Sequence, residues 1–244
     1  MKEHYIGMVL SASTVGEYDK RVVLLTKEAG RISAFARGAR RPKSVLSAVT
    51  EPFCFGEFYL YLGRDSATIE EVKATNFFPK LRNDLDRLTM GLYFCEVADY
   101  FTREGMGAVE ELELLYRSLT ALESAPAGSE KVVTDAGESS ADAGLFVPIR
   151  LIRRIFELRM LVIAGYSPLY MEEKECWRDE TGDWKLSRTA AYTVGQIISK
   201  PMKALFSFSV SDSVLGELET CIGNFFRRNT DREFRSLTAL DVFS

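Results

Sequence analysis

Residues 17–43 concentrate the side chains best suited to holding an anion. Eight are basic (Lys20, Arg21, Lys27, Arg31, Arg37, Arg40, Arg41, Lys43) and three acidic (Glu17, Asp19, Glu28), a local +5 in a chain of net charge −4. The run ends in Ala36-Arg37-Gly38-Ala39-Arg40-Arg41-Pro42-Lys43-Ser44, an arginine-dense turn directly after a strand-like stretch. A guanidinium offers a planar fork of donors that matches phosphate oxygens. On a small strand-rich module this points to phosphate recognition. A solvated charged face is the competing reading.

The stretch from Arg31 to Arg37 alternates with period two. Ile32, Ala34 and Ala36 go to one face; Arg31, Ser33, Phe35 and Arg37 go to the other. An aromatic ring between guanidinium groups suits base stacking and phosphate contact. The alternative is that Phe35 caps a barrel end and the arginines only solubilise it. Arg40, Arg41 and Lys43 lie in the following turn, within reach of a single- or double-stranded backbone. Arg150, Arg153 and Arg154 form a second basic cluster, read either as a binding patch or as partners of Glu157 and nearby acids.

Other chemistries find little support. The single histidine, His4, disfavours histidine triads and histidine metal clusters. No G-x-x-x-x-G-K-[ST] phosphate loop occurs. Gly105-Met106-Gly107 has the start of a dinucleotide turn, but Glu110 takes the place of the third glycine and would repel a pyrophosphate. Adjacent acids (Glu70-Glu71, Glu110-Glu111, Glu172-Glu173) read as solvated surface rather than acid–base pairs. Four scattered cysteines suit a reducing compartment rather than a disulfide framework. The N-terminus lacks the apolar core of a signal peptide, and no run is long enough to span a bilayer, so a cytoplasmic location is expected.

The elements that must position these groups fall into two parts. Runs at 5–10, 22–25, 31–37, 53–62 and 67–72 read as five strands, with turns at Glu28-Ala29-Gly30-Arg31 and Gly63-Arg64-Asp65. Five strands in under 80 residues suggest a small closed barrel. The loop Thr14–Lys20, which contains Tyr18, stands where such barrels often border a ligand groove. From Pro79 the pattern is helical. Leu85, Leu88, Leu92 and Cys95 lie at 3-4-3 spacing, widened by Tyr93, Val97, Tyr100 and Phe101. Helices follow at 108–123, from Pro148 to a Gly165/Pro168 stop, and at about 213–228. Residues 124–144 read as a mobile loop and 166–188 as an irregular insertion. The expected fold class is thus α+β, a barrel over 1–79 followed by a helical domain over 80–244.

A resemblance joins these pieces. Val9-Leu10, Gly16-Glu17-Tyr18-Asp19-Lys20, Leu25-Thr26-Lys27-Glu28-Ala29-Gly30-Arg31-Ile32 and the turn from Ala36 to Ser44 resemble the N-terminal barrel of the RecO family of bacterial DNA repair proteins. Ala164-Gly165-Tyr166-Ser167-Pro168 resembles the end of that family's helix before its cysteine-rich segment. The resemblance implies an oligonucleotide-binding (OB) barrel and a recombination mediator. Such a protein binds single- and double-stranded DNA, anneals complementary strands, and works with RecR and RecF. It helps load RecA on DNA coated with single-strand-binding protein (SSB), and it associates with the nucleoid. The family's basic residues map onto Lys20, Arg21, Arg31, Arg37, Arg40, Arg41 and Lys43; Phe35 joins them from its place on the strand.

Many family members carry a four-cysteine zinc site after the Gly-Tyr-x-Pro turn. Here Glu175-Cys176-Trp177-Arg178 holds one cysteine, and Ser187-Arg188-Thr189-Ala190 stands where a second pair would be. A tetrahedral thiolate site needs four ligands, so the segment reads as a degenerate, cysteine-poor zinc-finger-like element without zinc. Trp177 and Trp184 would hold it by burial. No cofactor and no catalysis are expected. The alternative is a protein-interaction adaptor, in keeping with a charge of −7 outside the first 80 residues.

Overall fold

Strand β1 (Lys2–Val15) is long enough to serve two neighbours. Its residues 2–8 pair antiparallel with β4 (Phe55–Leu62), and its residues 7–15 with β2 (Asp19–Thr26). A bulge between Val9 and Ser11 bends it from one partner to the other. β3 (Gly30–Ala36) runs antiparallel to β2, and β5 (Ala67–Asn76) antiparallel to β4. Two parallel pairs, Ala34 with Ala67 and Phe35 with Thr68, close the barrel in the order β1-β2-β3-β5-β4. This closed five-stranded arrangement is the OB fold.

In the computed structural model the described residues are 1–64, 66–125 and 147–237. The alternation expected of β3 is present. Ile32, Ala34 and Ala36 join Val9, Val22, Leu24, Phe58, Leu60 and Ile69 in the barrel core, while Arg31 and Ser33 face solvent. β1 runs well beyond residue 10. Ser11, Ser13 and Thr14 pair with β2 as an exposed ribbon, so their polarity hid a strand that the ladder alone supports. The one-turn helix α1 (Leu46–Val49) follows the arginine-rich turn.

Helix α2 (Leu85–Phe101) begins at Asp84, whose carboxylate accepts the Arg87 backbone N–H at 3.1 Å. Met90, Tyr93, Phe94, Cys95, Val97 and Ala98 are buried, whereas Leu85, first residue of the expected stripe, is exposed. The helix is covered on several sides, so a one-faced stripe misplaces its end. In α3 (Val109–Ser124) all four expected leucines, Leu112, Leu115, Leu119 and Leu122, are buried.

The chain divides into two compact units, Met1–Tyr116 with residues 234–237, and Arg117–Glu233. α2 and the first half of α3 thus fold with the barrel. The second unit contains α4 (Ile149–Ile163), a three-stranded sheet of β6 (Leu169–Met171), β7 (Cys176–Asp179) and β8 (Gly182–Asp183), then α5 (Arg188–Ser199) and α6 (Asp212–Arg228). α4 ends at Gly165 (φ +91°). α6 buries Leu215, Leu218, Ile222 and Phe225, as the spacing predicts. Among the described residues no helix is long and apolar enough to cross a membrane. The loop expected at 124–144 lies outside the described residues from 126 onward, as does Asp65 of the expected turn at Gly63-Arg64-Asp65.

The segment expected to be irregular, 166–188, carries the small sheet. Trp184 is buried and its indole N–H donates to Asp179 Oδ2 at 2.8 Å; the half-buried Trp177 donates to Ala191 O at 2.8 Å. Asp179 also pairs with Arg228, and Asp183 with Arg178 and Lys174. Burial raises the Asp179 carboxyl, but hydrogen bonds from Thr181 and Trp184 and the Arg228 charge outweigh it, leaving the group below its ordinary range. Cys176 sits opposite Met171. Among the described residues no three His, Cys, Asp or Glu side chains are grouped to hold a metal ion. The donors present therefore do not fit a tetrahedral zinc site.

Candidate nucleic-acid interface

The arginine-rich turn folds back on the tip of the β1–β2 hairpin. Arg40 donates its backbone N–H to Tyr18 O (2.9 Å), and its guanidinium donates to Gly16 O (3.3 Å) and Glu17 O (3.1 Å). Asp19 Oδ1 accepts from the Gly38 N–H at 2.7 Å. The Arg41 guanidinium lies over the Tyr18 ring, 5.3 Å from its centroid. Hairpin tip and turn thus hold one another, and Tyr18, Arg37, Arg40, Arg41 and Lys43 are all exposed. Among the described residues no carboxylate pairs with Arg37, Arg40, Arg41 or Lys43.

A second cluster lies beside the β3–β5 junction. A groove of about 710 Å³ is lined by Tyr5, Arg21, Ser33, Phe35, Arg64 and Glu104, among others. Arg21 stands directly across the ladder from Phe35, and its Nε donates to Ser33 Oγ at 2.8 Å, which fixes the guanidinium stem along the sheet. Phe35 lines the groove, and the exposed Arg37 opens the turn two residues later. Burial, then the charges of Glu3 and Glu28, push the Tyr5 phenol above its ordinary value, so it stays neutral.

The far end of the groove is set by glycine. Gly30, at φ +63°, lets the loop after α2 approach the β2–β3 turn; a Cβ there would stand 2.2 Å from both Arg103 O and Met106 O. The Arg31 N–H donates to Arg103 O (3.1 Å) and the Gly105 N–H to Ala29 O (3.0 Å), and Gly30 bridges Glu104. The Gly105-Met106-Gly107 stretch that looked like part of a dinucleotide turn is this clamp.

Two of the expected residues are engaged elsewhere. Lys20 does not face outward. Its side chain is 11% exposed and its ammonium contacts Glu51 Oε1 (2.5 Å) and Ser47 O (3.2 Å), because Lys20 lies opposite Ala36 on the side facing α1. Arg31 does face outward but pairs with Asp99 of α2 at 3.2 Å. Arg37, Arg40, Arg41 and Lys43 are exposed in the turn, and Arg21 and Phe35 line the groove. Tyr5, Arg64 and Glu104 were not expected there. They come from the first strand, the β4–β5 turn and the loop after α2; barrel closure brings in Tyr5 and Arg64, and the clamp at Gly30 brings in Glu104.

The second basic cluster is taken up by ion pairs within the helices. Arg153 and Arg154 of α4 both bind Glu157, which is fully buried, at 2.8 and 2.5 Å, and Arg150 is held by both oxygens of Glu219 on α6. Burial raises the thiol of Cys54 to about 11 and that of Cys95 further, so both stay protonated and neither is an activated nucleophile.

A closed OB barrel followed by helices, with a cationic strand face, is an architecture that many oligonucleotide-binding proteins share. The comparisons narrow the class. The model described as recombination protein O N terminal matches residues 1–78, and that described as recombination protein O C terminal matches residues 82–138. DNA repair protein RecO of Acetivibrio thermocellus is 30% identical over 95% of this chain and 93% of its own. RecO of Alkaliphilus metalliredigens is 29% identical over 86% of this chain and 75% of its own, and RecO of Symbiobacterium thermophilum 26% over 97% and 95%. The chain belongs to the RecO family of DNA repair proteins, and its role lies in DNA repair and recombination.

Proposed function

We propose that residues 1–79 act as a DNA-binding module. The surface from the Phe35 groove to the 37–43 turn takes single- and double-stranded DNA, so that complementary strands anneal without catalysis or cofactor. Arginine and lysine lower the mutual repulsion of two phosphate backbones, while Phe35 and Tyr5 offer rings on which separated bases stack. In this reading the protein works in the bacterial cytoplasm at the nucleoid. It acts with RecR and RecF to help RecA onto DNA covered by SSB.

The observation that carries the proposal is the absence of any carboxylate partner, among the described residues, for Arg37, Arg40, Arg41 and Lys43 on an otherwise acidic chain. Fluorescence anisotropy with single- and double-stranded oligonucleotides over a salt series tests it. Four phosphate contacts give a log–log slope of roughly −3 on single strands. Phe35→Ala is expected to weaken single-strand binding about tenfold and to leave duplex binding nearly unchanged, since only unstacked bases reach the ring. Binding to RecR with no measurable affinity for either oligonucleotide would select the adaptor reading instead.

Lys20 supplies a control. Lys20→Ala leaves Glu51 without its partner and is expected to lower stability by about 1–3 kcal/mol, read by thermal melting. DNA affinity at a temperature where the variant is folded is expected to stay within about twofold of wild type.

A further inference from the structure

A second groove, of about 550 Å³, lies within the second unit between the β6–β7 hairpin and α5. Tyr170 and Trp177 stand opposite each other on the ladder, their ring centroids 5.2 Å apart, and line one side. α5 lines the other with Arg188, Tyr192 and Gln196, four residues apart along one helix face. Between them Trp177 donates to Ala191 O at 2.8 Å, and its ring comes within 3.4 Å of a Cβ placed on Gly195. Tyr170 and Tyr192 are 47% and 69% exposed, so ring faces stand open to solvent. The turn joining β6 to β7 adds Glu172, Glu173 and Glu175, all exposed, and Glu175 lines the groove two residues before Trp177. Lys174 in the same turn is taken by Asp183, and among the described residues no cation pairs with the three glutamates. Glu175 is held at φ +49°, where glycine would sit with less strain. Aromatic faces beside an unpaired carboxylate are the chemistry of a site for a guanidinium or ammonium group, drawn to the ring faces and paired by the acid.

We propose that this groove docks the arginine-rich turn of a second copy of the chain. The turn offers Arg37, Arg40, Arg41 and Lys43, exposed and without a carboxylate partner among the described residues. The two surfaces carry mirrored charge. The groove sets three carboxylates against one unpaired cation, Arg188; the turn sets four cations beside one exposed carboxylate, Glu17, at the hairpin tip. Two copies so joined neutralise charges that each leaves open. A nucleic-acid strand in the groove would instead meet Glu172, Glu173 and Glu175 and be repelled, so the rings here serve a protein segment rather than bases. Contacts between exposed charges weaken as salt rises, so the association belongs to low ionic strength.

Sedimentation velocity on the full chain tests this without DNA, so its outcome is independent of the DNA-binding reading. Wild type is expected to associate with rising concentration at low salt and to dissociate as salt is added. Glu172→Lys/Glu173→Lys/Glu175→Lys should abolish the association, and so should Arg37→Glu/Arg41→Glu/Lys43→Glu, which keeps Arg40 to hold the hairpin tip. Both sets lie on exposed turns, and thermal melting checks that each variant is folded. Mixing the two variants should restore association, because the intact turn of one then meets the intact groove of the other. Tyr192→Ala, which removes a ring but no charge, is expected to weaken association about fivefold. A wild type that stays monomeric, a charge-reversed variant or Tyr192→Ala that associates as wild type does, or a mixture that stays monomeric would overturn the inference. If a labelled peptide of residues 36–44 binds wild type but not the Glu→Lys variant while the chain stays monomeric, the occupant is a basic segment of another protein and the second copy is excluded.

Discussion

Arg37→Ala/Arg40→Ala/Arg41→Ala is expected to bind single-stranded DNA about a hundredfold more weakly at low salt, and to shrink the salt dependence with it. Each phosphate neutralised on a single strand contributes about 0.7 to the log–log slope, and on duplex about 0.9. Losing three contacts should therefore flatten the slopes by roughly 2 and 2.7. The three arginines are not equivalent. Arg37 makes no contact that would compete with a phosphate, so its single substitution should remove a full increment of slope. Arg40 already donates to Gly16 O and Glu17 O, so Arg40→Ala loosens the hairpin tip as well as removing charge, and its loss in affinity should exceed its loss in slope. Arg41 lies on Tyr18, and removing it frees the ring for other contacts. Arg31→Ala is the internal standard. Asp99 neutralises that guanidinium in the free protein, so the slope should barely move. Salt slopes unchanged in the triple variant would show that the turn does not meet the phosphates.

How much of this surface was readable in advance follows from distance along the chain. The facing of β3 was legible because period two is a local property, and Ile32, Ala34 and Ala36 state it within five residues. The leucines of α3 and α6 were legible for the same reason at period 3.6. Lys20 was misplaced because its partner, Glu51, is thirty-one residues away and meets it only after α1 turns back toward β2. Arg64 and Glu104 were missed for a related reason. Neither belongs to a charged run; Arg64 joins the groove through barrel closure and Glu104 through the clamp at Gly30. Gly30 was taken simply as a turn residue, whereas the contact of a second segment also demands it. α5 escaped notice because the side chains it buries (Ala190, Ala191, Thr193, Val194, Ile197) are mostly small or β-branched, and Gly195 interrupts them. Its boundaries were nonetheless marked, with Ser187 capping the start and Pro201 following the end. The basic residues of α4 left two readings open, since spacing alone shows that Glu157 can meet Arg153 and Arg154 but not that it is buried with them.

That burial makes Glu157→Ala the substitution with the largest expected cost to stability. Glu157 is fully buried, and its two oxygens bind Arg153 and Arg154, whose side chains are only 26% and 12% exposed. Removing the carboxylate leaves two guanidinium groups close together in a poorly solvated place. Breaking such an arrangement from one side typically costs about 3–5 kcal/mol, on the order of a 10 °C fall in melting temperature for a chain of this size. The arrangement is already imperfect, because Arg154 Nε is buried without a hydrogen-bond partner. Gly223 of α6 lies so close that a Cβ there would stand 3.0 Å from Arg154 Nη1, so the guanidinium has little room to swing toward water. The cost should therefore be one of uncompensated charge rather than lost packing. Glu157→Gln, nearly the same shape, should recover little. Replacing all three residues together by Leu and Met should recover most of the stability, because the desolvation cost of the ions disappears with their attraction. Neither change should alter DNA affinity in the folded protein if these arginines serve only to hold α4. A triple replacement that stays folded yet loses DNA affinity would return them to the binding surface.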